Sequence, residues 1–437
     1  MISSKNPYVG PRTFSRAEGD RFFGREYEAR ELLSLVISER LVLLYGQSGA
    51  GKSSLINARL IPQLQARDFA VLPVGRVSGE IPEGVVRPLN IFAFNLMLSL
   101  DQQQGSPHRF THLPLTEFLA GLTSDDGETY YYSNEAVAEA GETCESIPYV
   151  LLIDQFEEFI TTHPDCWAER DDFFRQVSQA IAADEHLWIV LSLREDYLAA
   201  LDPYANLTPN HLRARFQLPR LNCEAALEAI TRPAALDGRP YAPGVAETLV
   251  DNLCRIRVLG RDEWQPGQFI EPVQLQVVCY QLWENVKGRP INQISQADLP
   301  LNYVSQALRQ FYETVIERVA QESGVAELTL RQWLETKLIT EANSRGTVYR
   351  GEKRTGGLVN EAADLLVQHY LLRTDMRAGG TWYELTHDRF IEPIRLSNAS
   401  WERIRLKRWS DTSFGLALTL LTGALLALGF RFFADKE

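Results

Sequence analysis

An α/β domain built on a parallel sheet, followed by a helical domain, a winged-helix domain and one C-terminal transmembrane helix, is the architecture this sequence predicts. Three observations carry it. In the first half of the chain, short apolar runs end in glycine, aspartate or arginine, as buried parallel strands do where they meet a ligand. Residues 221–400 are dominated by helical periodicity, and residues 412–430 carry no charge. At 437 residues the chain exceeds one ordinary core, so several domains are expected.

The first run, Leu41-Val42-Leu43-Leu44-Tyr45, leads into Gly46-Gln47-Ser48-Gly49-Ala50-Gly51-Lys52-Ser53. Strand, glycine-rich turn and helix in that order make a phosphate-binding loop. Glycines let successive N–H groups turn inward, and the helix N-terminus adds partial positive charge. Lys52 is suited to the β- and γ-phosphates, and Ser53 offers a hydroxyl to Mg²⁺. A helix is expected from near Gly51 to Pro62.

Upstream, Phe22-Phe23-Gly24-Arg25-Glu26-Tyr27-Glu28 turns into a helical pattern of Ala29, Leu32, Leu33, Val36 and Ile37. Its place before the loop suggests an adenine pocket. Phe69 to Val77 reads as a second strand, with Pro73 marking an edge or bulge. Ile91 to Leu100 is a helix. Residues 123–146 hold seven acidic side chains and no basic one, with Tyr130-Tyr131-Tyr132 among them, and read as a solvated insertion or partly disordered loop.

Tyr149-Val150-Leu151-Leu152-Ile153-Asp154 is a buried strand whose carboxylate emerges at its C-terminal edge, where open α/β sheets bind ligands. Asp154 is placed to hold Mg²⁺, and Glu157 or Glu158 to orient or deprotonate the attacking water. Leu187 to Leu193 is a further buried strand ending at Arg194, a candidate γ-phosphate sensor or the partner of Glu195 or Asp196. Phe216-Gln217-Leu218 reads as a fifth strand, preceded by Arg213 and Arg215 where an arginine finger would stand.

Helices then follow at Cys223–Ala235, Val245–Cys254, Val273–Val286 and Asn302–Glu322. Beyond them lie helical segments at Leu328–Leu338 and Asn360–His369. Two short apolar runs flank Ala378-Gly379-Gly380, a hairpin signal. Helices followed by a hairpin suggest a winged helix.

Composition is that of a folded protein, 45% hydrophobic and 23% charged. The net charge of −13 argues against a general nucleic-acid binder. Cys144, Cys166, Cys223, Cys254 and Cys279 form no CxxC pair, so neither a zinc site nor a disulfide framework is expected, and a reducing compartment fits. The N-terminus lacks a signal-peptide core. A helix over Thr412–Phe430 would span about 29 Å, the thickness of a bilayer core. Arg403, Arg405, Lys407 and Arg408 before it predict a single-pass membrane protein with its nucleotide-binding part in the cytoplasm.

Taken together, these residues resemble the STAND class (signal-transduction ATPases with numerous domains), specifically the bacterial novel STAND NTPases. The resemblance runs from Asn6-Pro7-Tyr8-Val9-Gly10 to about Ile394. Phe22 to Glu28 matches the family's hhGRExE box, which implies nucleotide contacts at Gly24, Arg25 and Glu26. The loop from Gly46 to Ser53 matches Walker A, implying contacts from Gly46, Ser48, Gly49, Ala50, Gly51, Lys52, Ser53 and Ser54. Leu151 to Glu158 resembles Walker B, and Arg194 the sensor arginine. Pro272 is similar to the proline of the GxP motif, although Ile270 stands where glycine is usual. His387, in Leu385-Thr386-His387-Asp388, resembles the winged-helix histidine that contacts the β-phosphate of bound ADP.

The resemblance implies an α/β P-loop NTPase of ASCE type over residues 1–220, a helical domain over 221–322 and a winged-helix domain over 323–400. A basic segment (401–411) and the membrane span (412–430) complete the expectation. ATP or ADP and Mg²⁺ are the implied cofactors, with slow, switch-type ATP hydrolysis. Such proteins rest with ADP, exchange to ATP on a trigger and form homo-oligomers, many of them in bacterial defence or signalling. No repeat array follows the winged helix here, so the trigger is expected from a separate sensor partner. The competing readings are a constitutive AAA+-like ATPase motor at the membrane and a nucleotide-stabilised membrane scaffold.

Overall fold

The computed structural model describes residues 6–103, 105–133, 147–257, 264–341, 343–377 and 380–407. Two compact units result, Met1–Val304 and Ser305–Glu437.

In the first unit five strands form one parallel sheet: β1 (Leu41–Gly46), β2 (Ala70–Val71), β3 (Tyr149–Ile153), β4 (Leu187–Arg194) and β5 (Arg215–Gln217), in the order β2-β3-β4-β1-β5. Parallel neighbours need crossover connections, and helices on both faces supply them. The period-two alternation of strand side chains sorts each strand between two cores. Leu41 and Leu43, Leu151 and Ile153, and Ile189 and Leu191 enter one core with Phe156, Phe159, Phe173 and Phe174. Val42, Leu44, Val150, Leu152 and Val190 enter the other. There they meet α1 (Glu26–Ser38) through Ala29, Leu32, Leu33 and Val36, spaced as one helix face. Ile37, expected on that face, is 40% exposed.

The helix after the phosphate loop runs through Pro62. Its α2 (Lys52–Leu55) and α3 (Ile61–Gln65) are joined by a π-helical turn, Ile56–Leu60. Proline has no N–H to give to the fourth residue before it, and a wider turn absorbs that loss. The second strand is shorter than expected. β2 is an edge strand of two residues, pairing stops before Pro73, and one further bridge joins Gly75 to Ile153.

The acidic insertion needs correction in its described part. Leu122–Thr123 and Tyr131–Tyr132 pair as a short antiparallel ladder, and Tyr130 and Tyr132 are buried against the core that contains Phe110 and Phe118. Charge predicted a solvated loop, but the aromatic run supplies enough apolar area to dock it. Residues 134–146 lie outside the described residues.

After α4 (Ile91–Leu100) and α5 (Trp167–Ala183), the rest of this unit is helical: α6 (Cys223–Leu236), α7 (Val245–Cys254) and α8 (Pro272–Val286). Strands β6 (Leu221–Asn222) and β7 (Phe269–Ile270) pair antiparallel and bring the start of α8 back toward β5. Against the expectation of no disulfide framework stands one bonded pair. Cys223 and Cys254, 31 positions apart, form a disulfide between the first residue of α6 and the last of α7. The fold brings together what spacing alone kept apart.

The second unit takes in nearly all of the long helix α9 (Tyr303–Ser323), then α10 (Glu327–Leu338), β8 (Thr347–Tyr349), α11 (Asn360–Gln368), β9 (Leu372–Arg377) and β10 (Gly380–Leu385). The strands form an antiparallel sheet in the order β8-β10-β9. The glycine-marked hairpin is thus found between β9 and β10.

The expected membrane location is corrected. Among the described residues no helix is long and apolar enough to cross a membrane. The stretch 412–430 itself lies outside the described residues.

Candidate nucleotide site

Parallel pairing places the ends of β1, β3 and β4 on one edge of the sheet. Gly46 stands in register with Arg194, and Ile153 with Leu191. From that edge β1 releases the phosphate loop, β3 releases Asp154 and β4 releases Arg194.

The loop needs its glycines. Gly49 and Gly51 have φ of 77° and 96°, a region costly to residues with a Cβ. Gly46 is required for space, since a Cβ there would stand 2.8 Å from the Leu218 carbonyl. Lys52 folds over the loop and donates to the carbonyls of Gly46 and Gln47 at 3.0 and 3.1 Å. Burial lowers its pKa, opposed by the charges of Glu157 and Asp154.

Ser53 Oγ donates to Asp154 Oδ2 at 2.6 Å. A hydroxyl and a carboxylate this close, each offering hard oxygen, fit the protein share of a Mg²⁺ site, in which phosphates and water supply the rest. Mg²⁺ there would neutralise charge on the β- and γ-phosphates.

The structure separates the two glutamates. Glu157 Oε2 accepts the Arg194 N–H at 3.2 Å. Burial raises its pKa above the usual carboxylate value, while Lys52 opposes that shift. Glu158 turns the other way, accepting the Ser78 hydroxyl and lying 3.4 Å from Arg76. Glu157 lies within electrostatic reach of Lys52 and Asp154, and a raised pKa suits a base. Spacing does not distinguish the two glutamates because the backbone bends at Gln155, with φ of +53°.

Arg194 extends to Asp196, with contacts of 2.8 and 3.1 Å, and lies over the Tyr197 ring. The sensor candidate is thus at the site edge and carries an acidic partner. Arg215 is held by Asp202 at 3.1 Å.

The segment before the loop supports it from behind. Gly24, with φ of +79°, lies so close to α6 that a Cβ would stand 2.2 Å from the Ala225 carbonyl. Glu26 accepts the N–H groups of Gly24 and Arg25 at 2.9 and 3.0 Å. Arg25 is buried and pairs with Glu28 at 2.7 Å, and it donates to the carbonyls of Ala50 and Pro219. Its guanidinium therefore holds the loop backbone, not an exposed ligand face. The Ser54 hydroxyl accepts the Phe14 N–H at 3.3 Å and anchors the N-terminal segment. Ser48 and Ala50 sit in the loop, where Ala50 N–H closes a turn onto the Gln47 carbonyl at 3.2 Å.

Pro272 opens α8, and Glu271 before it approaches the loop, its Oε2 lying 3.9 Å from where a Cβ on Gly49 would sit. Glu271-Pro272 introduces this helix in the sequence, but only the fold shows Glu271 beside the glycine loop.

His387 belongs to the second unit. Its Nδ1 accepts the Arg389 N–H at 2.9 Å, which leaves Nε2 to carry the proton in the neutral ring. Burial lowers its pKa to about 4, with Asp388 pulling upward and Arg345, Arg389 and Arg373 pushing down.

Compared with families of known proteins, the chain matches Novel STAND NTPase 1 over residues 7–414. The chain belongs to that family. As a novel STAND NTPase it carries the P-loop chemistry just described on a parallel α/β sheet. Among solved structures it is similar to a Walker-type ATPase of Pyrococcus abyssi, with 14% identity, 88% of this chain and 98% of that one covered, and a TM-score of 0.41. It is also similar to the ORC2 protein of Aeropyrum pernix in ADPNP–ADP complexes, with 15% identity, 87% and 95% coverage, and a TM-score of 0.43. A comparison with curated proteins gives no match.

Proposed function

We propose that this novel STAND NTPase is an ATP/ADP-dependent signalling switch. The observation that carries the hydrolytic part is the 2.6 Å contact of Ser53 with Asp154, beside a Glu157 raised in pKa and facing Lys52. In this reading Lys52 and the loop amides hold the phosphates, and Ser53 and Asp154 hold Mg²⁺. Glu157 takes the proton of the attacking water, and Arg194 leaves Asp196 for the γ-phosphate.

The second unit is read as a winged helix, supported by its order of helix, strand, helix and hairpin and by its strand order β8-β10-β9. His387, neutral with Nε2–H as donor, suits the recognition of a phosphate oxygen in a resting ADP state. Release from that state would permit exchange to ATP and homo-oligomerisation, prompted by a separate sensor partner. A place in bacterial defence or signalling follows from the family resemblance.

The test is to identify the nucleotide that co-purifies with the full chain and to measure native mass before and after adding ATP with Mg²⁺. A monomer holding ADP that assembles with ATP supports a switch, and Lys52→Ala and Asp154→Ala should abolish assembly. A stable ring that turns over ATP without any trigger refutes it in favour of a motor.

A further inference from the structure

The turn after β3 is gripped from two sides. On the β4 side, Glu157 accepts the Arg194 N–H, and Phe156 donates its N–H to the Ser192 carbonyl at 2.7 Å. On the β2 side, Gly75 donates to the Leu152 carbonyl at 2.7 Å and accepts the Asp154 N–H at 3.1 Å. That pairing carries Arg76 and Ser78 alongside the turn. The Arg76 guanidinium donates to Gln155 Oε1 and lies 3.4 Å from Glu158 Oε1, while the Ser78 hydroxyl donates to the other Glu158 oxygen. Arg76 is itself fixed, its N–H donating to Ser99 Oγ on α4 at 2.9 Å.

The two residues so held, Gln155 and Glu158, bracket Phe156 and Glu157. Gln155 sits at φ of +53°, a left-handed conformation that a residue with a Cβ keeps only under outside constraint. Building on Glu157 as the water-activating carboxylate, we propose that Arg76 and Ser78 are positioning residues for hydrolysis, clamping Gln155 and Glu158 so that Glu157 faces Lys52 and Asp154. The Arg76 side chain is 39% exposed, so solvent screens its ion pair and the contact adds little to fold stability. What it provides is geometry. Neither residue lies in the Walker motifs, and Arg76 precedes Glu158 by 82 positions.

The experiment compares full-length Arg76→Ala, Arg76→Lys, Ser78→Ala and Glu157→Gln by steady-state ATP hydrolysis, ATP affinity and the pH dependence of kcat. Arg76→Ala is expected to lose about ten- to a hundredfold in kcat, with KM and ATP affinity held within about threefold, since misplacing a catalytic group by an ångström is this costly. Its acidic limb should move down toward the ordinary glutamate value as Glu157 loses its buried setting. Arg76→Lys, which keeps a donor, should recover part of kcat, and Ser78→Ala should show a smaller loss of the same kind. Unchanged kcat in both Arg76→Ala and Ser78→Ala, beside an inactive Glu157→Gln, overturns the clamp and leaves the base assignment standing. Normal hydrolysis by Glu157→Gln overturns the base assignment, and the clamp with it. Should Arg76→Ala not fold, Ser78→Ala decides by its kcat alone.

Discussion

Replacing each glutamate of the Asp154–Glu158 turn by glutamine separates two roles that the sequence leaves equivalent. Glutamine keeps the size and one acceptor oxygen but cannot take a proton. Glu157 is close enough to feel the charges of Lys52 and Asp154, and its N–H···Oε2 link to Arg194 is 3.2 Å. A positioned base contributes about 10²–10⁴-fold in rate, about 3–5 kcal/mol of barrier. Glu157→Gln should therefore lower single-turnover phosphate release by that factor with ATP binding intact. Glu158 meets Ser78 and a solvent-screened Arg76, so Glu158→Gln should cost about tenfold or less, as exposed pairs are worth about 0–1 kcal/mol. The pH dependence has a defined sign. Burial holds the Glu157 pKa above the ordinary glutamate value of 4.5, so hydrolysis should rise with pH through a limb above that value. The same shift makes the charged form a cost to the fold: stability it favours is present below 4.5 and lost as pH rises through the folded pKa. Glu157→Gln should then melt no lower than the parent at neutral pH, which excludes unfolding as the cause of lost activity. Rapid release by Glu157→Gln together with a dead Glu158→Gln would refute the assignment.

Gly24→Ala should destabilise the first unit by more than about 1 kcal/mol, because a positive φ is joined to a 2.2 Å approach to the Ala225 carbonyl; thermal melting reads this. The His387 pKa falls from 6.5 to about 4, so the neutral ring is favoured by the fold. Stability should be level above pH 6.5 and decline by about 3 kcal/mol toward pH 4, at 1.36 kcal/mol per pKa unit. Urea unfolding of parent and His387→Asn across that range checks it, with the variant losing part of the decline. Closing a 31-residue separation should contribute about 3–4 kcal/mol in the chain-entropy account, so Cys254→Ser should lower the denaturation midpoint in oxidising buffer and match the parent under reduction more closely.

The sheet and its ligand-bearing edge were legible because their signals are local. Five apolar residues before Gly46 and five before Asp154 each settle into a buried strand, and parallel pairing then brings their ends to one edge. Helix limits at Val245–Cys254 and around Pro272–Val286 follow from periodicity and caps in the same way. What escaped depends on partners distant in the chain. Glu157 and Glu158 differ through Gln155's backbone and through Arg194 on one side and Arg76 and Ser78 on the other. Cys223 meets Cys254 only once α6 and α7 pack. Tyr130 and Tyr132 counted as part of an acidic loop until a core was there to receive them. Arg25 and Ser54 also bind neighbouring backbone, at Ala50, Pro219 and Phe14, a choice of partner that residue type does not encode.

The interposition of β4 between β1 and β3 has a mechanical consequence. The strand ends that release the glycine loop and Asp154, at Gly46 and Ile153, stand two strand spacings apart, about 9–10 Å along the hydrogen-bonding direction. That interval is set by backbone pairing through Leu41–Ile189 and Leu151–Ile189, and it cannot change without breaking the ladder. The sheet is thus a ruler, indifferent to which nucleotide lies across it. Any difference between ATP and ADP must be felt by the parts hung from its edge: the glycine loop, the bend at Gln155 and the side chain of Arg194.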